Sequence, residues 1–142
     1  MNILVLNGPN LNLLGIREPE IYGTDTLEEL MMWLESCPES INHKFKFYQS
    51  NHEGDLIDYI HDERQWANGI IINPGALTHY SYAIYDALKA VNINCVEVHL
   101  TSLDKREDFR KKSVIKSACL SQISGLGKQS YLEGLRLLID KY

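Results

Sequence analysis

Asn2-Ile-Leu-Val-Leu-Asn7, followed at once by Gly8-Pro9-Asn10-Leu11-Asn12, is the stretch whose reading decides the fold. An apolar run from Ile3 to Leu6, closed by turn residues, is too short for a helix and reads as a buried strand. The chain behind it, Leu13 to Gly23, is polar and punctuated by Gly and Pro. Functional groups therefore stand at the carboxyl end of the strand, where open α/β sheets bind their ligands. Arg17 and Tyr22 lie between Gly15 and Gly23, which reads as a mobile lid carrying a cation and a phenol, with the two glycines as hinges.

The same alternation continues downstream. Thr24-Asp25-Thr26 offers N-cap side chains, and Leu27, Leu30, Met31 and Leu34 mark one helical face. Lys44 to Tyr48 alternates as a strand. Leu56, Ile57 and Ile60 form a second helical stripe. Gly69 to Ile72 is a fully apolar strand, and Ile84, Leu88 and Val91 outline a third helix. Asn94 to Val98 is a fourth strand ended by His99, and a further helix is expected from Arg106 to about Ile115. Gln122-Ile123-Ser124 is a short fifth strand before a last helix through Leu132, Leu135 and Leu138. Strands alternating with helices imply a parallel sheet covered on both faces. The expected fold is a flavodoxin-like three-layer α/β sandwich with a five-stranded parallel sheet.

At 142 residues, with no linker, repeat or low-complexity tract, the chain is expected to be a single domain, 1–142. Hydrophobic content of 44% and charged content of 23% are those of an ordinary globular chain. No apolar run approaches the ~18 residues of a membrane span. A net charge of −5 argues against nucleic-acid binding and requires that any anionic ligand be held by a local site. Cys37, Cys95 and Cys119 share no metal-ligand or CxxC spacing, and a reducing, cytoplasmic compartment is expected. Cys95 reads as a buried thiol.

The polar residues collect at strand ends. Asn10 and Asn12 follow strand one, Ser50 to Glu53 strand two, Asn73 and His79 strand three, and His99 to Thr101 strand four. Such loops meet at one edge of a parallel sheet. Taken singly, each is an ordinary turn former or strand-end His. Together they fit acid–base chemistry on a small anion. His99 exchanges protons near neutral pH. A tyrosine is a poor base at its reference pKa of ~10 but a useful one where cations such as Arg17 or Arg110 favour the phenolate. His52, Glu53, His79 and His99 lack metal-binding spacing, so no metal is expected, and neither a GxGxxG nor a P-loop is present. A signalling receiver domain would need paired acids after strand one and an Asp after strand three, where this chain has Asn7-Gly8-Pro9 and Asn73-Pro74. A non-catalytic scaffold has no need of Arg17, Tyr22 and His99 together.

Several long blocks resemble type II 3-dehydroquinate dehydratase. They are Asn7-Gly-Pro-Asn-Leu-Asn-Leu-Leu-Gly15 with Arg17-Glu-Pro19 and Tyr22-Gly23, Gln49-Ser-Asn-His-Glu-Gly54 with Leu56-Ile-Asp58, Asn73-Pro-Gly-Ala-Leu-Thr-His-Tyr-Ser81 with Asp86-Ala-Leu88, and Glu97-Val-His-Leu100 with Arg106-Glu107 and Phe109-Arg110. The resemblance runs in order over nearly the whole chain and weakens after Ser117, where Lys128-Gln129-Ser130 replaces a more glycine-rich segment. Thr101 stands where the family commonly has serine, and keeps the hydroxyl.

The resemblance implies a lyase that converts 3-dehydroquinate to 3-dehydroshikimate through an enolate, in the shikimate (or quinate) pathway. In that scheme Tyr22 is the base, Arg17 stabilises its charge, and His99 protonates the departing hydroxyl. Asn10 positions a water against the enolate oxygen. Asn73, His79 and Arg110 bind substrate hydroxyls and carboxylate, with the backbone amides of Leu100 and Thr101 cradling the carboxylate. Asp86 reaches the site of a neighbouring subunit. The resemblance further implies a dodecamer built from trimers, with neither metal nor organic cofactor.

Overall fold

A computed structural model describes residues 1–142. Five strands, β1 (Asn2–Asn7), β2 (Lys44–Gln49), β3 (Gly69–Asn73), β4 (Cys95–His99) and β5 (Ser121–Ser124), form one sheet in the order β2-β1-β3-β4-β5. Every neighbouring pair is parallel. The helices are a single turn α1 (Pro19–Tyr22), then α2 (Leu27–Ser36), α3 (Glu53–Asp62), α4 (Tyr82–Val91) and α5 (Gln129–Lys141).

Strand side chains alternate between faces, so β1 feeds both layers of the sandwich. Ile3 and Val5 pack with Leu30 and Leu34 of α2 and with Leu132, Leu135 and Leu138 of α5. Leu4 and Leu6 point the other way, to Leu56 and Ile60 of α3 and Ile84 and Leu88 of α4. Local chemistry starts these helices where the sequence indicates. Thr26 Oγ1 accepts from the Glu29 amide while the Glu29 carboxylate accepts from the Thr26 amide, a reciprocal cap for α2. Ser81 Oγ accepts from the Ile84 amide at the start of α4.

The expected helix from Arg106 to about Ile115 does not form. The β4–β5 connection runs instead through short 3-10 turns at Leu103–Lys105, Asp108–Lys111 and Lys116–Ala118. Its sequence has no apolar stripe to bury: Phe109 is exposed, and Leu100, Leu103 and Ile115 are its three buried hydrophobics. Tertiary bonds hold it instead, from the Val114 amide to the Thr78 carbonyl and from Ser113 Oγ to Glu97 Oε2.

Because β1 has β2 on one side and β3 on the other, the connections leaving β1 and β3 part at their carboxyl ends and open a crevice. Asn7 and Asn73 are register partners at that point, and the Gly8 amide donates to the Asn73 carbonyl at 2.7 Å. A Cβ on Gly8 would lie 2.4 Å from the Pro74 carbonyl oxygen and 2.6 Å from its carbon. Both are backbone atoms, so a side chain there forces the two strand ends apart. Gly8→Ala should cost about 2–3 kcal/mol or more, read as a lower denaturation midpoint. Parent stability in this variant would show that the strand ends are not in close contact.

Candidate active site

The crevice holds a cavity of about 150 Å³. Asn10, Arg17 and Tyr22 reach it from the β1 connection, Asn73 and His79 from the β3 end, and His99, Leu100, Thr101, Arg106 and Arg110 from the β4 end. Three guanidinium groups and no carboxylate line it, so a chain of net charge −5 carries one locally cationic hollow.

Tyr22 sits at the end of the single-turn helix α1, which Pro19 starts with a ready-made helical φ. Arg17 stacks its guanidinium over the phenol ring, 4.9 Å from the centroid. The group bonded to the phenolic oxygen is a different one: Arg106 Nη1 donates to it at 2.5 Å. Arg106 belongs to the β4–β5 connection and was not among the expected site residues. Gly15 and Gly23 differ as hinges. Both have positive φ, but a Cβ on Gly15 would meet the Thr24 carbonyl at 3.1 Å, whereas nothing lies near Gly23. Gly15 is a close-packed turn and Gly23 the open joint.

His99, the last residue of β4, is buried, and its Nε2 donates to Glu97 Oε1 at 2.6 Å. A carboxylate only accepts, so Nε2 carries the hydrogen and Nδ1 is left to exchange a proton. Glu97 is fully buried two residues earlier on the same strand face. Burial pushes its carboxyl up, but the hydrogen bonds from His99 and Thr78 outweigh this and hold it below the usual carboxylate range. Ser113 Oγ occupies the second oxygen at 2.9 Å. The polar Glu in an apolar strand, two residues before a His, was the available signal for this partner.

Asn73 is locked by its neighbours. Its Nδ2 donates to the Tyr131 hydroxyl at 2.9 Å, its Oδ1 accepts from the Gly75 amide, and the Tyr131 hydroxyl donates to Asn7 Oδ1 at 2.7 Å. Tyr131 comes from α5 and is fully buried, which pushes its phenol well up. Sequence spacing placed Tyr131 beside the apolar stripe of the last helix without disclosing this role. Asn10 adopts a left-handed conformation (φ 68°), and its amide donates to Asn51 Oδ1 at 2.9 Å. His79 Nδ1 lies 2.7 Å from the Lys112 carbonyl, which can only accept, so Nε2 has no hydrogen when the ring is neutral. The amides of Leu100 and Thr101 have no acceptor within the protein.

Two expectations need correction. Ser50 to Glu53 do not line the cavity; Asn51 supports Asn10 from behind, and Ser50 bonds Asp55 and the His52 amide. Asn12 is exposed and likewise outside it. Asp86, expected at a neighbouring subunit's site and so not among these corrections, is exposed on α4 and outside the cavity of its own chain. No three His, Cys, Asp or Glu side chains gather in a group suited to a metal ion, and no helix is long and apolar enough to cross a membrane.

The model of the family described as Dehydroquinase class II matches residues 1–139. A 3-dehydroquinate dehydratase of Carboxydothermus hydrogenoformans is 57% identical over 140 residues, covering 99% of this chain and 91% of the relative. One from Caldicellulosiruptor saccharolyticus is 55% identical, covering 96% and 94%. Among solved structures, the type II dehydroquinase of Butyrivibrio crossotus superposes with a TM-score of 0.94 at 48% identity, covering 98% of this chain and 97% of that one. With this agreement over fold, length and sequence, the chain belongs to the class II dehydroquinase family.

Proposed function

We propose that the chain dehydrates 3-dehydroquinate to 3-dehydroshikimate through an enolate, with Tyr22 as base and His99 as acid. The observation that carries this reading is the pairing, in one cationic cavity, of a phenol bonded to Arg106 with an imidazole bonded to a buried carboxylate. Tyr22, in its ionised form, takes the proton from the carbon next to the ketone. Arg106, bonded to the phenolic oxygen, and Arg17, stacked on the ring, are the cations that face its negative charge. His99 gives a proton to the departing hydroxyl, which leaves as water, and Glu97 holds the ring and stabilises its charge. Asn10 holds a water that hydrogen-bonds the enolate oxygen. No lysine lines the cavity, so a covalent imine has no nitrogen to form on.

Substrate binding follows from the remaining groups. Arg110 and the two free amides of Leu100 and Thr101 suit a carboxylate, which backbone N–H groups bind whatever the net charge. Asn73 and His79 suit the ring hydroxyls. Asp86 takes part through a neighbouring copy, in a dodecamer built from trimers. Sedimentation checks this, and a fully active monomer rules it out.

Purified protein with 3-dehydroquinate should generate the ultraviolet absorbance of a conjugated enone, and a silent assay with folded protein would reject the activity. Tyr22→Phe, His99→Ala and Arg106→Lys should each lower kcat by ~10²-fold or more, as loss of a general acid or base does. Lysine keeps the charge of Arg106 but not the planar fork that reaches the phenol. Near-parent kcat in any one of them removes that residue from its role.

Glu97→Gln gives a second, separable readout. A carboxyl held below its unfolded value of ~4.3 contributes stability that is full above that pH and lost as pH falls. The parent should therefore lose unfolding free energy more steeply below about pH 4.5 than Glu97→Gln does, while kcat of the variant drops at least ~10-fold from a misoriented imidazole. Parallel acid limbs in denaturant titrations would contradict the ionised assignment for Glu97.

A further inference from the structure

At the opposite end of β4 from His99, two thiols touch. Cys119 Sγ lies 3.7 Å from Cys95 Sγ, at the edge of a cleft of about 140 Å³ that Leu88, Asn92 and Ser117 also line. Cys95 is buried, and Cys119 is half-buried. We propose that Cys95 and Cys119 form a reversible thiol-oxidation site, closed to a disulfide by small disulfides such as oxidised glutathione.

The backbone supports this pairing. The Leu120 amide donates to the Cys95 carbonyl at 2.7 Å, which holds the two chain segments side by side. Cys119 falls between the 3-10 turn Lys116–Ala118 and β5, outside the strand ladder. A disulfide requires ~2.05 Å between sulfurs, so the pair has to close from its present 3.7 Å. Cys37 serves as an internal control, because it packs on the other face of the sheet and bonds the Trp33 carbonyl.

The order of events follows from access. The Cys119 thiolate attacks one sulfur of the small disulfide, forming a mixed disulfide and releasing one thiolate. Cys95 loses its proton, attacks Cys119 Sγ and expels the second thiolate. The protein loses two hydrogens and two electrons, and one small disulfide becomes two thiols. Burial, then the neighbouring Cys119, pushes the Cys95 thiol up, so the closing step quickens with rising pH. The ring so closed contains the whole β4–β5 connection, with Arg106, Arg110 and Ser113.

The test uses the intact, reduced protein incubated with excess oxidised glutathione, capped with a maleimide and mapped by mass spectrometry. The expected product is a Cys95–Cys119 linked peptide with Cys37 capped, reversed by dithiothreitol. The oxidised protein should melt about 5 °C or more above the reduced form, because the cross-link restricts the unfolded chain. Cys119→Ser should lose both the link and the upward shift while keeping the turnover of the reduced parent. Cys95→Ser should retain glutathione on Cys119. Recovery of both cysteines as capped thiols in the parent, or glutathione left standing on its Cys119, overturns the assignment.

Discussion

The passage of Gly8 against the Pro74 carbonyl is the contact on which the rest of the site depends. It brings the carboxyl ends of β1 and β3 within one backbone's thickness of each other, at the point where their connections diverge. The two asparagines that end these strands are then close enough to share the Tyr131 hydroxyl. With Asn73 held on both amide atoms, the crevice floor is rigid. The walls are not built the same way: one is a single helical turn, the other a connection pinned by side chains.

Charge is arranged against the average. An acidic chain repels anions at long range, but salt limits that field to a Debye length of roughly 8 Å. Inside the cavity the near cations dominate, and Arg17, Arg106 and Arg110 share the space without a lining carboxylate. Glu107 sits just behind, 2.8 Å from Arg110 Nε and 3.8 Å from Arg106 Nε, and holds both arginines in place from the solvent side. The carboxylate bonded to His99, that of Glu97, is instead turned into the protein, where two hydroxyls and an imidazole satisfy it. Positive charge faces the cavity and negative charge backs His99.

What was legible in the sequence was periodic. The four long helices and five strands each carry a stripe or run that identifies them; their alternation gives a parallel sheet, while its flavodoxin-like order is seen only in the structure. The β4–β5 connection has no such stripe, and the helix expected there from Arg106 to about Ile115 was wrong. Arg106, not among the expected site residues, lies in that connection, and its bond to Tyr22 depends on a turn rather than on a helix face. Most cavity residues were legible because strand ends and glycine turns are local features. Tyr131, which holds the floor beneath them, was not, because its partners are fixed by packing: it meets Asn7 across 124 positions of sequence. The Ser50–Glu53 loop showed the opposite failure, since a polar strand end can support a site without entering it.

That span of 124 positions has a meaning for the order in which the molecule is made. A chain leaves the ribosome at ~5–20 residues per second, amino end first. β1, β3 and the helices beside them can pair long before α5 emerges. Until it does, the side chains of Asn7 and Asn73 keep water at the carboxyl end of the sheet, because an unpaired amide is costly to bury. The nascent protein is therefore a sheet with a wet upper edge, and the floor of its pocket dries only when the last helix docks.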